Sequence, residues 1–321
     1  MPVDDPIAAA FAPVDDPLGE ALHSLRMSGT FYCRSDLSAP WGVAMPAFPD
    51  CLMFHLITEG SCWVDVPGTK SCLLRAGDFA LVPHGRGHDL RSGDGVEIAD
   101  LFDLPQEQLS ERYGTMKVKG TGERTIMICG AVQFEHPAAK RVVGMLPRII
   151  TMEANRPESE WMISAIRFMM AEAQAMRPGG DTIITRVSDI LVIQAIRSWL
   201  DNDEAAKAGW LGALQDKQIG RAIALVHRDP MHPWTVASLA ETIGMSRSAF
   251  AARFMELVGE PPMTYVRRWR MNVAVTYLKE SDTPIADLAD RLGYQSEAAF
   301  NRAFKKYIGT TPGRVRRDQA A

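Results

Sequence analysis

The chain contains 321 residues, enough for two ordinary domains, and its composition of 46% hydrophobic and 23% charged residues excludes a disordered protein. A formal net charge of −4 gives no sign of nucleic-acid binding by itself. The charge is unevenly distributed, however, because residues 214–321 hold 16 Lys and Arg against 11 Asp and Glu, or +5, whereas residues 1–213 hold 19 against 28, or −9. This asymmetry predicts that the last third of the chain is an interaction domain.

The N-terminal sequence has no pattern of a targeting segment. The first 20 residues contain four Asp and neither Lys nor Arg, and no apolar run approaches the length of a membrane span. We therefore expect residues 1–20 to be a flexible arm and the protein to be soluble and cytoplasmic, with no membrane partner. The odd cysteine count argues against a disulfide framework in that compartment. The five cysteines are Cys33, Cys51, Cys62, Cys72 and Cys129.

Short β-rich segments separated by turn sequences occupy the region from about residue 29 to residue 135. Turns that contain Gly, such as Glu59-Gly60 and Pro67-Gly68, recur between them. Many short strands at this spacing are typical of a β-barrel or a β-sandwich. The predicted strands are residues 51–58, 61–66, 71–75, 79–82, 96–102 and 124–129.

Helical periodicity replaces the β pattern after residue 157. Residues 158–176 and 181–201 are predicted helices, and the second carries an apolar stripe that would pack against the first helix or against another subunit. The stripe consists of Ile184, Val187, Leu191 and Ala195, with Ile190 beside it. We predict a sensor domain over residues 21–202 whose last two helices (about 157–202) form a homodimer, a linker over residues 203–214, and an all-helical domain over residues 215–321.

The last third of the chain contains an internal repeat. Leu239, Ala240 and Gly244 recur 49 positions later, and four further residues recur 50 positions later; the second set is Phe250, Phe254, Gly259 and Pro262. Each copy predicts a short helix, a turn with Gly, and a second helix capped by Ser246 or Ser296. The two units, residues 237–258 and 285–308, therefore have helix-turn-helix geometry, in which the second helix enters the major groove of DNA.

Several side chains on these second helices are predicted to face DNA. The Phe pairs are expected in the core, whereas Arg302, Asn301 and Glu297 could read guanine, adenine and cytosine. The predicted DNA-contacting residues are Ser246, Arg247, Ser248 and Ala251 in the first unit, with Ala252 beside them, and Ser296, Glu297, Asn301, Arg302, Lys305, Lys306 and Arg316 in the second. Lys305, Lys306, Arg314, Arg316 and Arg317 suit phosphates.

Residues 215–317 resemble the DNA-binding domain of AraC/XylS-family transcription regulators. The resemblance rests on "WTVASLAETIGMSRSAF", on "IADLADRLGYQSEAAF" and on the Gly309, Pro312, Arg316 tail. It implies two helix-turn-helix units joined by one helix over residues 263–279, reading adjacent major grooves of promoter DNA on one face, with RNA polymerase as a partner. Ala251 and Ala252 depart from strongly base-reading members and imply weaker readout by the first unit.

The N-terminal region carries a cupin signature. Gly77-x5-Pro83-x-Gly85-x2-His88 fits the second cupin motif, with Ser92 at its Asn position. Met53 stands where the first motif has its metal-binding Glu, and residues 41–47 contain no His-x-His. The resemblance implies a cupin domain that senses a small molecule, while the missing ligands disfavour a cupin oxygenase or isomerase.

Four dispersed residues form a candidate zinc or redox site. His55 shares a strand face with Met53, His88 keeps the cupin ligand position, Cys129 ends an alternating strand, and Cys33 lies on an early strand. Two imidazoles and two thiolates suit tetrahedral zinc. "CGAVQFEHP" also resembles a cupin subgroup that includes redox sensors, so oxidation of the thiols is an alternative, and plain core packing is a third. Met53, His84 and His136 are candidate pocket residues.

These observations predict an α+β two-domain protein, with an N-terminal cupin β-barrel, a helical dimerisation pair and a C-terminal all-α double helix-turn-helix domain. Its predicted function is regulation of transcription in response to a small-molecule, metal or redox signal. The first alternative is a cupin metalloenzyme fused to an auxiliary DNA-binding domain. The second is a constitutive DNA-architectural protein whose barrel only supports dimerisation.

Overall fold

The computed structural model describes residues 27–49, 51–134, 143–154, 160–175, 177–203 and 209–317. The described residues form two compact units: one up to residue 203 that is rich in strands, and one from residue 209 that is helical. This confirms the predicted fold class of a β-rich N-terminal region followed by an all-helical C-terminal region. The predicted arm, residues 1–20, lies outside the described residues, as do 204–208 of the predicted linker.

The first unit is a pair of packed β-sheets. Its strands are β1 (Met27–Ser38), β2 (Gly42–Met45), β3 (Cys51–Glu59), β4 (Ser61–Asp65), β5 (Cys72–Arg75), β6 (Phe79–Val82), β7 (His88–Arg91), β8 (Ala99–Asp100), β9 (Gln106–Gln108), β10 (Tyr113–Val118), β11 (Arg124–Phe134) and β12 (Ile150–Met152). One sheet has the order β12-β6-β3-β11-β1-β10-β9 and the other β5-β4-β7-β2-β8. Apolar side chains from both sheets share one core, which includes Leu37, Val64, Leu90 and Met127.

The predicted strand over residues 96–102 is wrong. Only Ala99 and Asp100 are in a strand, and Leu101–Asp103 form a 3₁₀-helix. The Asp100 carboxylate accepts a hydrogen bond from the backbone N–H of Phe102 at 2.9 Å, so a local cap replaces a strand ladder at this point. Sequence periodicity cannot separate these two outcomes over so short a segment.

The long helices that the structure describes in the first unit are α1 (Glu160–Ala175) and α2 (Gly180–Asn202). The apolar stripe of α2 packs within this chain, because Ile184, Leu191 and Ala195 are buried and α2 contacts α1, β12 and β1. Ile190 is different, since half of its side chain is exposed. The stripe therefore has an intramolecular role, and Ile190 remains available to a partner.

The second unit consists of short helices. These are α3 (Gly209–Gln215), α4 (Lys217–Arg228), α5 (Val236–Thr242), α6 (Arg247–Val258), α7 (Pro262–Glu280), α8 (Ile285–Arg291), α9 (Glu297–Ile308) and α10 (Pro312–Arg317). Residues 209–214, assigned to the linker from sequence, belong to α3. Its Trp210 is buried and donates a hydrogen bond from Nε1 to the Tyr265 hydroxyl at 3.0 Å, which attaches α3 to this unit. In the described part of the chain, no helix combines the length and the apolar character needed to cross a membrane.

Candidate functional site

The helices α6 and α9 begin in the same way, as the sequence repeat requires. The Ser246 hydroxyl accepts a hydrogen bond from the backbone N–H of Ala249, and the Ser296 hydroxyl accepts one from Ala299, both at 3.2 Å. Both serines are therefore N-caps, which confirms the sequence prediction. The turn before each helix contains a Gly with a positive φ, 72° at Gly244 and 77° at Gly293, a conformation that other residues rarely adopt.

One face of each helix is fixed in the core. Phe250, Phe254, Phe300 and Phe304 are at most 2% exposed, which confirms that these four rings pack inside and do not stack on bases. The opposite face is open to solvent. Because an α-helix has 3.6 residues per turn, burial of i and i+4 leaves the predicted DNA-facing positions on the outer side.

The outer face of α9 is more polar and more basic than that of α6. Glu297, Arg302, Lys305 and Lys306 are exposed, and Asn301 is half-buried. In the described part of the chain, neither Arg302 nor Lys305 forms an ion pair, so both cations are available to an anionic partner. On α6, Ser246, Arg247, Ser248 and Ala252 are exposed and Ala251 is half-buried.

Arg316 occupies a different environment from the other predicted DNA-contacting residues. Its Nη2 donates a hydrogen bond to the Thr283 carbonyl, and its side chain is half-buried. This contact ties α10 to the loop before α8 and gives Arg316 a structural partner. Contact of any of these side chains with DNA stays a prediction.

In the first unit, strand register places three of the four candidate zinc or redox residues side by side. Cys33 of β1 lies opposite Cys129 of β11, and Cys129 lies opposite His55 of β3. The His55 Nδ1 is 3.0 Å from the Cys129 Sγ, and the His55 Nε2 is 2.6 Å from the Nε2 of His88, which comes from β7 of the other sheet. The Cys33 Sγ is 3.8 Å from the Ser35 hydroxyl.

Burial keeps this cluster in its uncharged form. The pKa of His55 lies well below its usual value because of burial and the neighbouring His88, and burial lowers the pKa of His88 to about 4. Burial, with smaller effects of the nearby thiols, holds the pKa of Cys129 well above its usual value. The uncharged cluster is joined by two hydrogen bonds, one between the Cys129 Sγ and the His55 Nδ1 and one between the Nε2 atoms of His55 and His88, and the His tautomers decide which atom of each pair donates.

Zinc binding would impose a geometric requirement on His55 that the present orientation of its ring does not satisfy. Its two ring nitrogens face opposite neighbours, one toward Cys129 and the other toward His88. One ion bound by all three residues would require His55 to use a single nitrogen, because an imidazole coordinates one ion through one nitrogen. No group of three or more His, Cys, Asp and Glu residues is arranged to hold a metal ion in the described ranges. Zinc binding by Cys33, His55, His88 and Cys129 stays a prediction.

A cavity of about 420 Å³ opens beside this cluster, between the two sheets. Its walls consist mainly of aromatic, methionine and aliphatic side chains, and the lining residues that the structure describes include no Asp, Glu, Lys, Arg or His. Met53 lies in the wall, whereas His84 is not a lining residue and its ring Nε2 bonds to the Leu146 carbonyl at 3.0 Å. His136 lies outside the described residues. The polar lining residues are Cys33, Ser35, Cys51, Gln106, Gln108 and Cys129.

Sequence reasoning missed most of the cavity. Phe31, Ser35 and Leu37 line it together with Cys33, on one face of β1. Their alternation with period two is visible in the sequence and could have identified this face once β1 was recognised as a strand. Phe102, which also lines the cavity, had no such signal, because it lies within the 3₁₀-helix and is 66% exposed.

Comparisons with known proteins agree with this architecture. The family described as Cupin matches residues 16–201, and the family described as Helix-turn-helix domain matches residues 239–318. A putative AraC-like transcription regulator of Streptomyces lividans is 31% identical over 310 residues, covering 94% of this chain and 98% of its own length. The RCS-specific HTH-type transcriptional activator RclR of Escherichia coli is 26% identical over 266 residues, covering 83% of this chain and 84% of its own.

Among solved structures, the DNA-binding domain of AdpA in complex with a target DNA is 27% identical and covers 32% of this chain and 92% of its own, with a TM-score of 0.30. The breadth of the cupin match and the full-length similarity to the Streptomyces regulator identify the family. The chain belongs to the AraC-like transcription regulators and joins an N-terminal cupin domain to a C-terminal helix-turn-helix DNA-binding domain.

Proposed function

We propose that the cupin domain senses an uncharged, apolar small molecule and thereby controls how the helices α6 and α9 occupy promoter DNA. The observation that carries this proposal is the cavity of about 420 Å³, in whose walls the described part of the chain places no charged side chain. A buried charge without a partner is costly, so a charged effector would need a counterion that these walls do not provide. The volume falls within the range of pockets that enclose small organic molecules.

The walls also suit a ligand of variable shape. Four methionines, Met45, Met53, Met116 and Met127, line the cavity, and their flexible thioether side chains adapt to irregular apolar surfaces. Gln106 and Gln108 also line the cavity; their amide NH2 groups donate to the Leu101 and Glu111 carbonyls, and we expect their amide oxygens to accept a hydrogen bond from the ligand. An effector with an apolar body and one neutral polar group matches this distribution.

The second helix-turn-helix unit would make most of the base contacts with DNA. Arg302, Asn301 and Glu297 would contact base edges, and Lys305 and Lys306 would contact phosphates. Two copies of the chain would bind through α1 and α2, where Phe168 and Ile190 are each about half exposed. The bound dimer would act on RNA polymerase.

A sensor accounts for the barrel better than an enzyme does. Met53 replaces the acidic ligand of the first cupin motif and lies in the apolar wall of the cavity, where it offers a substrate no acid, base or nucleophile. A cupin metalloenzyme fused to an auxiliary DNA-binding domain would show metal-dependent turnover, and the sensor reading predicts none.

Two fluorophores that differ by one sulfonate test the proposal. N-phenyl-1-naphthylamine is uncharged, and 1-anilinonaphthalene-8-sulfonate has nearly the same rings with a negative charge. We expect the uncharged dye to bind the full-length protein about 10-fold more tightly or better, because the cavity has no cation for the sulfonate. Ala131→Phe, which fills the cavity, should weaken this binding.

Ala44→Phe is the matched control, because Ala44 lies between the lining residues Val43 and Met45 and strand alternation directs it to the opposite face. It should leave dye binding unchanged. Equal binding of both dyes, or equal effects of the two substitutions, would contradict the proposal.

Thiol oxidation is the second candidate signal. Cys33 and Cys129 are directly opposed on the neighbouring antiparallel strands β1 and β11, a relation that allows a cross-strand disulfide after small adjustment. The two thiols would lose two electrons and two protons to a peroxide, which would be reduced to water. The raised pKa of both thiols makes this reaction slow, because the thiolate is the reactive form.

Peroxide treatment followed by mass spectrometry separates the two signals. A change in DNA affinity that accompanies the loss of two hydrogen atoms, and that is absent in Cys33→Ser, would favour oxidation. DNA affinity that is indifferent to peroxide would leave the apolar effector as the signal.

A further inference from the structure

Arg270 of α7 connects the two helix-turn-helix units through backbone carbonyls. Its Nε donates to the Pro230 carbonyl at 2.8 Å and its Nη2 to the His232 carbonyl at 2.7 Å. Both carbonyls lie in the loop before α5, which leads into the first helix-turn-helix unit. Its Nη1 donates to the Leu292 carbonyl at 3.4 Å, in the turn of the second unit. One half-buried guanidinium therefore contacts both units.

The same loop also packs against the second helix-turn-helix unit. Met231 lies against the apolar cluster that contains Phe300 and Phe304, the rings that fix the inner face of α9. The loop is stiffened by its own hydrogen bonds, because the Asp229 carboxylate accepts from the His232 backbone N–H at 3.0 Å and the Asp229 carbonyl accepts from Trp234 Nε1 at 2.9 Å. The units thus meet at a second place besides the joining helix α7.

We propose that Arg270 is a specificity-determining residue that holds α6 and α9 at one spacing and angle, so that the protein rejects DNA whose two half-sites are shifted by a base pair. The inference rests on the proposed contact of both helices with one duplex. It adds to the joint that the sequence predicts, which consists of the joining helix alone.

The geometry of DNA makes this constraint consequential. One inserted base pair moves a half-site by about 3.4 Å and rotates it by about 34° around the duplex axis. A single helix of 19 residues can bend, whereas a planar guanidinium with three carbonyl partners resists both translation and rotation. Lysine keeps the charge but lacks the planar fork, so it cannot reproduce the three contacts.

The test uses full-length protein and a duplex obtained by selection from random DNA. The duplex is then rebuilt with one base pair inserted or deleted between the half-sites. We expect the wild type to lose at least about 10-fold in affinity on either altered duplex. Arg270→Met should bind the selected duplex more weakly and should discriminate between the three duplexes by about 3-fold or less.

Arg267→Met is the matched control, because Arg267 is an exposed residue of the same helix and loses the same charge. It should keep the wild-type ratio between duplexes even if its affinity falls. Arg270→Lys carries the test if Arg270→Met does not fold, and we expect from it an intermediate loss of discrimination.

The outcomes distinguish the proposed role of Arg270 from the proposed mode of DNA binding. A wild-type ratio in Arg270→Met, or in Arg270→Lys if that variant carries the test, would overturn the role of Arg270 while leaving two-helix binding intact. Equal binding of all three duplexes by the wild type would overturn both.

Discussion

Ser296, the N-cap of α9, allows helix stability and proximity to DNA to be tested separately. Ser296→Ala removes the hydrogen bond from Ala299 and should destabilise the C-terminal domain by about 1 kcal/mol. For a domain of this size that corresponds to a fall of about 4 to 8 °C in Tm. Ser296→Asn and Ser296→Asp should keep the cap, because both side chains accept the same hydrogen bond.

DNA binding should separate the Asn and Asp variants. If the N-terminus of α9 enters the major groove, the Asp carboxylate lies near the phosphates and repels each by about 0.6 kcal/mol at about 7 Å in water. Two flanking phosphates give about 1.2 kcal/mol, which raises Kd about 8-fold for Asp relative to Asn. The ratio should shrink as salt is added.

Thermal unfolding and fluorescence anisotropy with a selected duplex measure the two effects. Equal Kd values for the Asn and Asp variants, with both as stable as the wild type, would refute the placement of α9 against DNA. Loss of stability in the Asp variant would refute the capping role instead.

Four further predictions follow from other parts of the molecule. Phe304→Ala should destabilise the C-terminal domain by about 3 to 5 kcal/mol in urea unfolding, because the ring is fully buried; a loss below about 1 kcal/mol would contradict the core assignment. Arg124 donates two hydrogen bonds to Asp36 and holds the pKa of that carboxyl below its usual value, so the pair stabilises the fold above the unfolded pKa of about 3.9 and the benefit disappears as pH falls through the folded value. Arg124→Met should therefore unfold more easily than the wild type at pH 7, and the difference should narrow as the pH is lowered below about 3.9; a difference that does not depend on pH would contradict this cause. If two copies bind through α1 and α2 as proposed, the wild type should sediment as a dimer and Ile190→Glu as a folded monomer, whereas a dimeric Ile190→Glu would exclude this part of α2 from the interface. Purified protein should contain one zinc per chain, lost in Cys129→Ser, if the zinc prediction is right; metal-free protein would remove it.

The helix-turn-helix units could be predicted closely because their determinants are local. Gly at the turn, Ser at the N-cap and Phe at i and i+4 specify each unit within about 20 residues, and the predicted range of α6 coincides with the observed Arg247–Val258. The sheets of the cupin domain depend on contacts between residues that are far apart in the sequence. The faces of the individual strands could be predicted from alternation, but the neighbours of each strand depend on these long-range pairings.

The cluster around His55 shows where this limit lies. The sequence predicts that His55 and Met53 share a strand face, because side chains alternate along a strand, and it predicts that the four residues of the candidate zinc or redox site lie together. The register that places Cys129 between Cys33 and His55 required the fold, as did the orientation that turns the two His55 nitrogens to different partners. Which chemistry the cluster performs depends on that orientation.

Long-range contacts also explain the features that sequence could not reveal. Trp210 makes α3 part of the DNA-binding unit through Tyr265, which lies 55 positions later in the chain. Arg270 likewise contacts carbonyls of residues 22 to 40 positions away, and backbone acceptors carry no signature in the sequence. The small and polar residues that precede α3 suggested a linker over residues 203–214, because the contact of Trp210 with Tyr265 leaves no mark in the local sequence.

A footprint of the full-length protein on a selected duplex tests the central claim, that both recognition helices read one face of promoter DNA. Hydroxyl-radical cleavage should show, for each bound chain, two protected segments about one helical turn apart, and Arg302→Ala should weaken protection of one segment of the pair while Arg247→Ala weakens the other. One protected segment, or loss of both segments together in each variant, would contradict the account.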